Sequence, residues 1–175
     1  ELLSEIIHKF PQVSFRKVDW IDITPPSHFI QYIAYAESYN RASNDDSVSH
    51  LCFLDIDEFW IPIDFKSSIS DIVNQASPFD TLSFHWLNVL NEKEFSQLSR
   101  EVHVQPAPTV KSIINLSSEI EKIQLHLPML KSDSGNQTLS NGKPFLHSPK
   151  ERQRLQDKAL NEYYPAYILH RMYRS

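Results

Sequence analysis

The residues best placed to do chemistry lie in "LCFLDIDEFW", Leu51 to Trp60. There an apolar run ends in Asp55, Asp57 and Glu58 and resumes at once with Phe59 and Trp60. Side chains alternate along a strand, so at a strand's end Asp55 and Asp57 would point to one side. Two like charges one period apart repel, and they tolerate it best with a hard divalent cation between them and a ligand's phosphates. Mg²⁺ is typically held by one or two carboxylates together with substrate phosphates and water. Apolar flanks fix the pair and exclude water, which strengthens the field on an ion. A departing nucleoside diphosphate needs this kind of charge neutralisation. The ordinary alternative is a solvated acidic turn between strand and loop.

The elements that must position this segment follow from hydrophobic periodicity. "ELLSEIIHKF" has a helical period and ends at Pro11, and "VSFRKVDWI" alternates as a strand. "SHFIQYIAYAESYNRAS" is expected to be a helix with Ser27 as its N-cap. "HLCFLDI" is a short apolar run bounded by turns, the pattern of a central strand covered on both faces. A helix is expected over "SSISDIVNQA" and strands over "DTLSFHWLNVL", "TVKSIINL", "IEKIQLHLPML" and "PAYILHRMYRS". "KSDSGNQTLSNGKPFLHSPKERQ" reads as a long mobile loop, and "RLQDKALNEYY" as helical or irregular. Helices alternating with strands point to a layered α/β fold.

Composition excludes several classes. The 175 residues are expected to form one domain, with 41% hydrophobic and 22% charged residues. A net charge of -5 without a Lys/Arg block argues against a nucleic-acid partner. Only two glycines occur, Gly135 and Gly142, so no glycine-rich phosphate loop is present. The single cysteine, Cys52, reads as a small buried residue. No run reaches the roughly 18 apolar residues of a membrane span, and Glu1–Ile7 is no signal sequence. The expected setting is cytoplasmic, with peripheral association at the inner membrane as a further option.

"FLDIDEFW" resembles the D-x-D segment of GT-A glycosyltransferases, above all the group related to family 92 and to family 2-like bacterial domains. "VDWID", "YAESYNRA", "FHWLNV", "TVKSII", "IQLHLP" and "AYILHRMYRS" resemble further stations of that group in the same order, over residues 13 to 175. Val89 and Leu90 replace the group's Phe-Gly, and Met172, Tyr173 and Arg174 stand where it often has Tyr and Lys. The resemblance implies a GT-A-like, mixed and mainly parallel sheet flanked by helices. It also implies a first strand with an "R-N-E"-like segment that this sequence lacks, so the domain is expected to be incomplete at its N-terminus. The implied activity moves a sugar from a nucleotide-sugar donor to a glycan or lipid-linked glycan, with inversion, using Mn²⁺ or Mg²⁺.

By the same resemblance Asp57 coordinates the metal, and Asp55 meets the donor ribose or the metal through water. Glu58 faces the acceptor or braces a loop. His170 is the third candidate ligand, and imidazole suits Mn²⁺ better than Mg²⁺. Trp86 is a candidate platform for a sugar ring, or an aromatic core residue. Lys111 is placed to meet a phosphate, or is an edge-strand charge. His126 is an acceptor-site residue or a satisfied core histidine. Arg171 and Arg174 are candidates for the diphosphate, or surface charges. Inversion needs a carboxylate base, and Asp80, Glu92, Asp133 and Asp157 are not distinguished by sequence.

Two other classes stay open. A strand running into D-x-D also opens aspartate-nucleophile (HAD-like) phosphatases, although Phe59 stands where those usually carry Thr or Val. The third reading is a degenerate, non-catalytic module that binds sugar or nucleotide.

Overall fold

The computed structural model describes residues 2–16, 29–90, 101–132 and 134–171. The chain divides into two compact units, Glu1–Gln31 and Tyr32–Ser175. In the first, helix α1 (Leu2–Lys9) has the expected bounds, with Glu5 in its first turn and His8 and Lys9 in its last. Those charges suit the helix dipole, and Pro11 stops the helix. Residues 13–16 of the expected strand "VSFRKVDWI" are not extended into a sheet, and the rest of it lies outside the described residues, as does the expected cap Ser27.

Helix α2 (Phe29–Ser43) contributes Tyr32–Ser43 to the second unit. The remaining elements are β1 (His50–Cys52), β2 (Glu58–Pro62), α3 (Ile69–Ala76), β3 (Thr81–Leu90), β4 (His103–Asn115), β5 (Ile120–Lys122), β6 (Met129–Leu130), β7 (Gln137–Leu139) and β8 (Ala166–His170). The main sheet has the order β1-β4-β3-β8-β2, with β7 also beside β3. The α/β class is therefore observed, but the expected parallel character is not. β1·β4, β3·β4 and β2·β8 are antiparallel, and only β3·β8 and β3·β7 are parallel. A short apolar run between turns suits either direction. The connection decides, and only a long crossover makes neighbours parallel.

β3 and β4 form the backbone of the sheet, paired from Thr81↔Ile114 to Leu90↔His103 with a register shift between His85 and Trp86. Alternation along β3 divides the core. On one face Leu82 and Phe84 pack with Ile113, Ala166, Ile168 and Ile72 of α3. The opposite face is covered by Val110, Leu127, Leu139, Phe145, Leu155 and Ala159. α3 is set by Ser68, whose hydroxyl accepts from the Asp71 N–H while the Asp71 carboxylate accepts from the Ser68 N–H.

Three expected elements differ. "HLCFLDI" is not a central, doubly covered strand: β1 is a three-residue edge strand and the chain turns after Cys52. "IEKIQLHLPML" is not one strand but a small β5·β6 pair with an irregular middle. The expected mobile loop after Lys131 contains β7, the turn at Gly142 (φ 79°) and buried Leu139 and Phe145. Its polar residues hydrogen-bond to the scaffold, as where Asn136 Nδ2 donates to the Pro78 carbonyl.

Candidate functional site

The acidic turn lies between β1 and β2 and is closed by its own groups. The Glu58 N–H donates to the Asp55 carbonyl at 3.0 Å, and Glu58 Oε2 accepts from the Asp55 N–H at 3.0 Å. Lys111 reaches it from β4, with Nζ 3.2 Å from Asp55 Oδ2 and 3.1 Å from Glu58 Oε2. Its side chain is 1% exposed and that of Glu58 is fully buried. Tyr35 of α2 adds a hydroxyl 3.4 Å from Asp55 Oδ1, and its ring stacks on Phe53 at 4.0 Å.

This geometry sets the electrostatics. Burial pushes the Glu58 carboxyl above its ordinary range, against the Asp55 N–H and the Lys111 charge, which favour ionisation. Burial alone would lower the Lys111 ammonium, but Glu58, Tyr35 and Asp55 outweigh it and hold it above its ordinary value. Lys111 is therefore a fixed cation that compensates two carboxylates. It is buried on an inner strand and is not an edge-strand charge. Glu58 braces the turn, one of the two roles expected of it.

Asp57 leaves the turn in another direction. Between the two aspartates Ile56 is 92% exposed, while Asp57 is buried. The Arg171 N–H donates to the Asp57 carbonyl at 3.0 Å, and His170 is the Cα partner of Glu58 across β2 and β8. His170 Nε2 lies 3.8 Å from Asp57 Oδ2, and Nδ1 lies 3.0 Å from Asn88 Oδ1. With the amide oxygen as acceptor, Nδ1 carries the proton and Nε2 presents its lone pair to Asp57 in the neutral ring.

The expectation that Asp55 and Asp57 share one side of a strand is thus corrected. The turn gives Asp55 to Lys111 and Asp57 to His170. Among the described residues, no three His, Cys, Asp or Glu side chains form a group able to hold a metal ion, so Asp55, Asp57 and His170 are not assembled as a triad. Asp57 and His170 alone offer the donor set of a divalent cation, a carboxylate and an imidazole, and Asn88 orients the imidazole as metal-bound histidines usually require.

Trp86 packs inside the site: its ring is 4.4 Å from His170, 5.2 Å from His126 and 6.0 Å from Lys111 Nζ. These neighbours make it a wall of the site. His126 Nδ1 lies 3.2 Å from the Val110 carbonyl. Burial, and then the nearby Lys111 charge, lower the tendency of His126 to protonate. Arg171 is buried and not a surface charge. Arg174 lies outside the described residues, as do Glu92 and Asp133.

Of the other base candidates, Asp80 accepts from Ser118 Oγ and the Asn136 N–H at 2.6 Å each, so its carboxylate fixes loops. Asp157 is exposed on a 3-10 turn. Burial pushes the Cys52 thiol up to about 12, which disfavours its thiolate. Sequence reasoning missed Tyr35 and Asn88. Asn88 was within reach, because alternation along β3 puts residues 84, 86 and 88 on one face. Nothing around Tyr35 distinguished it from the other aromatics of α2. Comparison with protein-family models, with curated proteins and with solved structures finds no match.

Proposed function

We propose that this chain is a metal-dependent glycosyltransferase domain that takes a nucleotide-sugar donor and a glycan or lipid-linked glycan acceptor. The observation supporting this is the Asp57–His170–Asn88 arrangement. Asn88 holds the His170 ring with Nε2 3.8 Å from the buried Asp57 carboxylate, so a carboxylate and an imidazole converge on the same space. That pairing is favourable when His170 is protonated or when a cation lies between the two groups. Mn²⁺ or Mg²⁺ held there would neutralise a leaving diphosphate.

The chain's own residues supply the rest of the preparation. Lys111 and Glu58 hold the acidic turn shut, and Trp86 packs against the imidazole. Asp55 is tied to Lys111 and Tyr35, and its side chain stays a third exposed (34%). No helix among the described residues is long and apolar enough to cross a membrane.

A thermal-shift panel tests the reading. Mn²⁺ with a nucleoside diphosphate is expected to stabilise the protein more than the sum of each alone. At ligand near 100 times its dissociation constant, linkage gives about 2.7 kcal/mol. Asp57→Asn and His170→Ala should each remove the joint effect while the apo protein still unfolds cooperatively. Additive shifts, or a joint shift that survives both substitutions, would overturn it.

A further inference from the structure

A groove of about 390 Å³ lies where three segments meet: the end of β2 at Ile63, the turn around Gly142, and the stretch from Asn161 to Tyr164 that leads into β8. Its volume falls within the roughly 300–1,000 Å³ of small-molecule sites. It stands apart from the Asp57–His170 pair. Glu58 faces His170 at one end of the β2·β8 ladder and Pro62 faces Ala166 at the other. Four residues of strand separate the two ends, about 13 Å.

The walls are tied to one another before any ligand arrives. The Ile63 N–H donates to the Pro165 carbonyl at 2.9 Å, which joins the end of β2 to the approach to β8. Ser140 Oγ lies 3.3 Å from both the Tyr164 and the Ala166 carbonyls and donates to them from the other side. Gly142 takes the left-handed conformation that glycine allows, and its N–H donates to the Leu139 carbonyl at 2.9 Å. Asn141 closes the corner: Oδ1 accepts from the Lys143 N–H at 3.0 Å, and Nδ2 donates to the Glu162 carbonyl at 3.1 Å. A groove built in advance loses little freedom when it is filled.

The lining combines balanced charge with exposed apolar surface. Lys143 Nζ lies 2.8 Å from Glu162 Oε1, with the side chains 60% and 37% exposed. The Lys143 hydrogen bond holds the Glu162 carboxyl below its ordinary range, so the pair stays ionised. Such an exposed pair adds little to stability, but it sets a donor beside an acceptor. An ammonium carries three donors, of which Glu162 needs one, and a carboxylate accepts at two oxygens. Asn161 adds an exposed amide that can do both. Tyr164 is 68% exposed and Ile63 38%, so an aromatic ring and an aliphatic flank stand in water beside these groups. A pyranose ring has the matching surfaces: an apolar C–H face, and adjacent hydroxyls that each donate and accept.

We propose that this groove binds a neutral oligosaccharide, with one sugar ring on Tyr164 and its adjacent hydroxyls shared among Lys143, Glu162 and Asn161. The binding does not rest on the transferase reading. In a transferase the groove would hold part of a glycan away from the reacting bond.

Nuclear magnetic resonance titration of the intact chain, without metal or nucleotide, tests the proposal. Maltotriose, cellotriose and triacetylchitotriose are the probes, and sorbitol, which has the hydroxyls without a ring face, is the control. At least one trisaccharide is expected to bind saturably and to move the Tyr164 and Asn161 resonances, with sorbitol inert. Tyr164→Ala should weaken that binding about tenfold, while Tyr164→Phe retains it. Lys143→Met should weaken it to a similar extent, about tenfold. Both side chains are exposed, so the resonances of the core should stay in place in these variants. Asp57→Asn should leave the affinity unchanged. No saturable binding of any of the three, equal binding of sorbitol, or full affinity in both Tyr164→Ala and Lys143→Met each overturns the proposal. Saccharide binding without the joint metal–diphosphate effect would overturn the transferase reading alone, and the reverse result would overturn this proposal alone.

Discussion

Removing the ammonium of Lys111 would take away the cation that Asp55 and Glu58 share, the latter fully buried. Breaking a buried ion pair from one side typically costs about 3–5 kcal/mol. Lys111→Met is expected to lower stability by that order in urea denaturation, and adding Glu58→Gln should recover part of it. A second residue-scale effect concerns pH. Burial keeps the His85 and His126 rings below their ordinary value of 6.5. The unfolded chain therefore binds their protons more readily. Their contribution is present above about 6.5 and is lost as pH falls through the lowered folded values. Glu58, raised by burial, acts in the opposite sense. The comparison that isolates the histidine is therefore wild type against His85→Gln, which should show a smaller drop in urea midpoint between pH 7.5 and pH 5. The candidate site was largely legible at this scale. Asp55, Asp57, Glu58, Trp86, Lys111, His126 and His170 were singled out by type, flank and family resemblance, and the structure brings them together. Their partners were not legible, because which of Asp55 and Asp57 meets Lys111 depends on a turn that sequence read as strand.

At the scale of elements, α3 shows what local signals settle. Ser68 and Asp71 satisfy each other's backbone donors, and the apolar Ile72 meets the core. Ser68→Ala is expected to cost about 1 kcal/mol, read as a shift in the urea midpoint with unchanged slope. β3 was legible for the same reason: period-two alternation over its whole length sorts its side chains between two faces. β1 was not, because its apolar run continues past the point where pairing stops, and only Asn115, Ile114 and Ile113 of β4 oppose it. The residues after Lys131 misled through composition. Gly, Ser and Asn promise a loose loop, yet here they form the turn around Gly142 and the β7 pairing. Turn chemistry specifies local shape, and whether the turn docks on a sheet is decided by residues far away.

At the scale of the whole molecule, direction of pairing was the least legible property. The α/β class follows from the order of periodic segments, but strand order depends on contacts between distant parts of the chain. β8 is the instance that matters most. It lies between β2 and β3, so it joins the acidic turn to the centre of the sheet and contributes Ala166 and Ile168 to the core. A chain ending at Tyr164 is expected to lose its cooperative urea transition, measured by far-UV circular dichroism, and not merely its histidine. Retention of a two-state transition would show that β2 finds another neighbour.

The position of β8 also imposes a schedule on synthesis. A ribosome adds roughly 5–20 residues per second, so Asp55, Asp57 and Glu58 emerge well before the histidine that completes their surroundings. Lys111 emerges in between, carried by the strand that pairs with β1 and β3. The nascent acidic turn thus receives its compensating charge first and the imidazole beside Asp57 last. Until β8 arrives, β2 has an unpaired edge, and the Lys111 clamp is what keeps the carboxylates from splaying the turn apart. The half-made protein can be shaped at this point before His170 reaches Asp57.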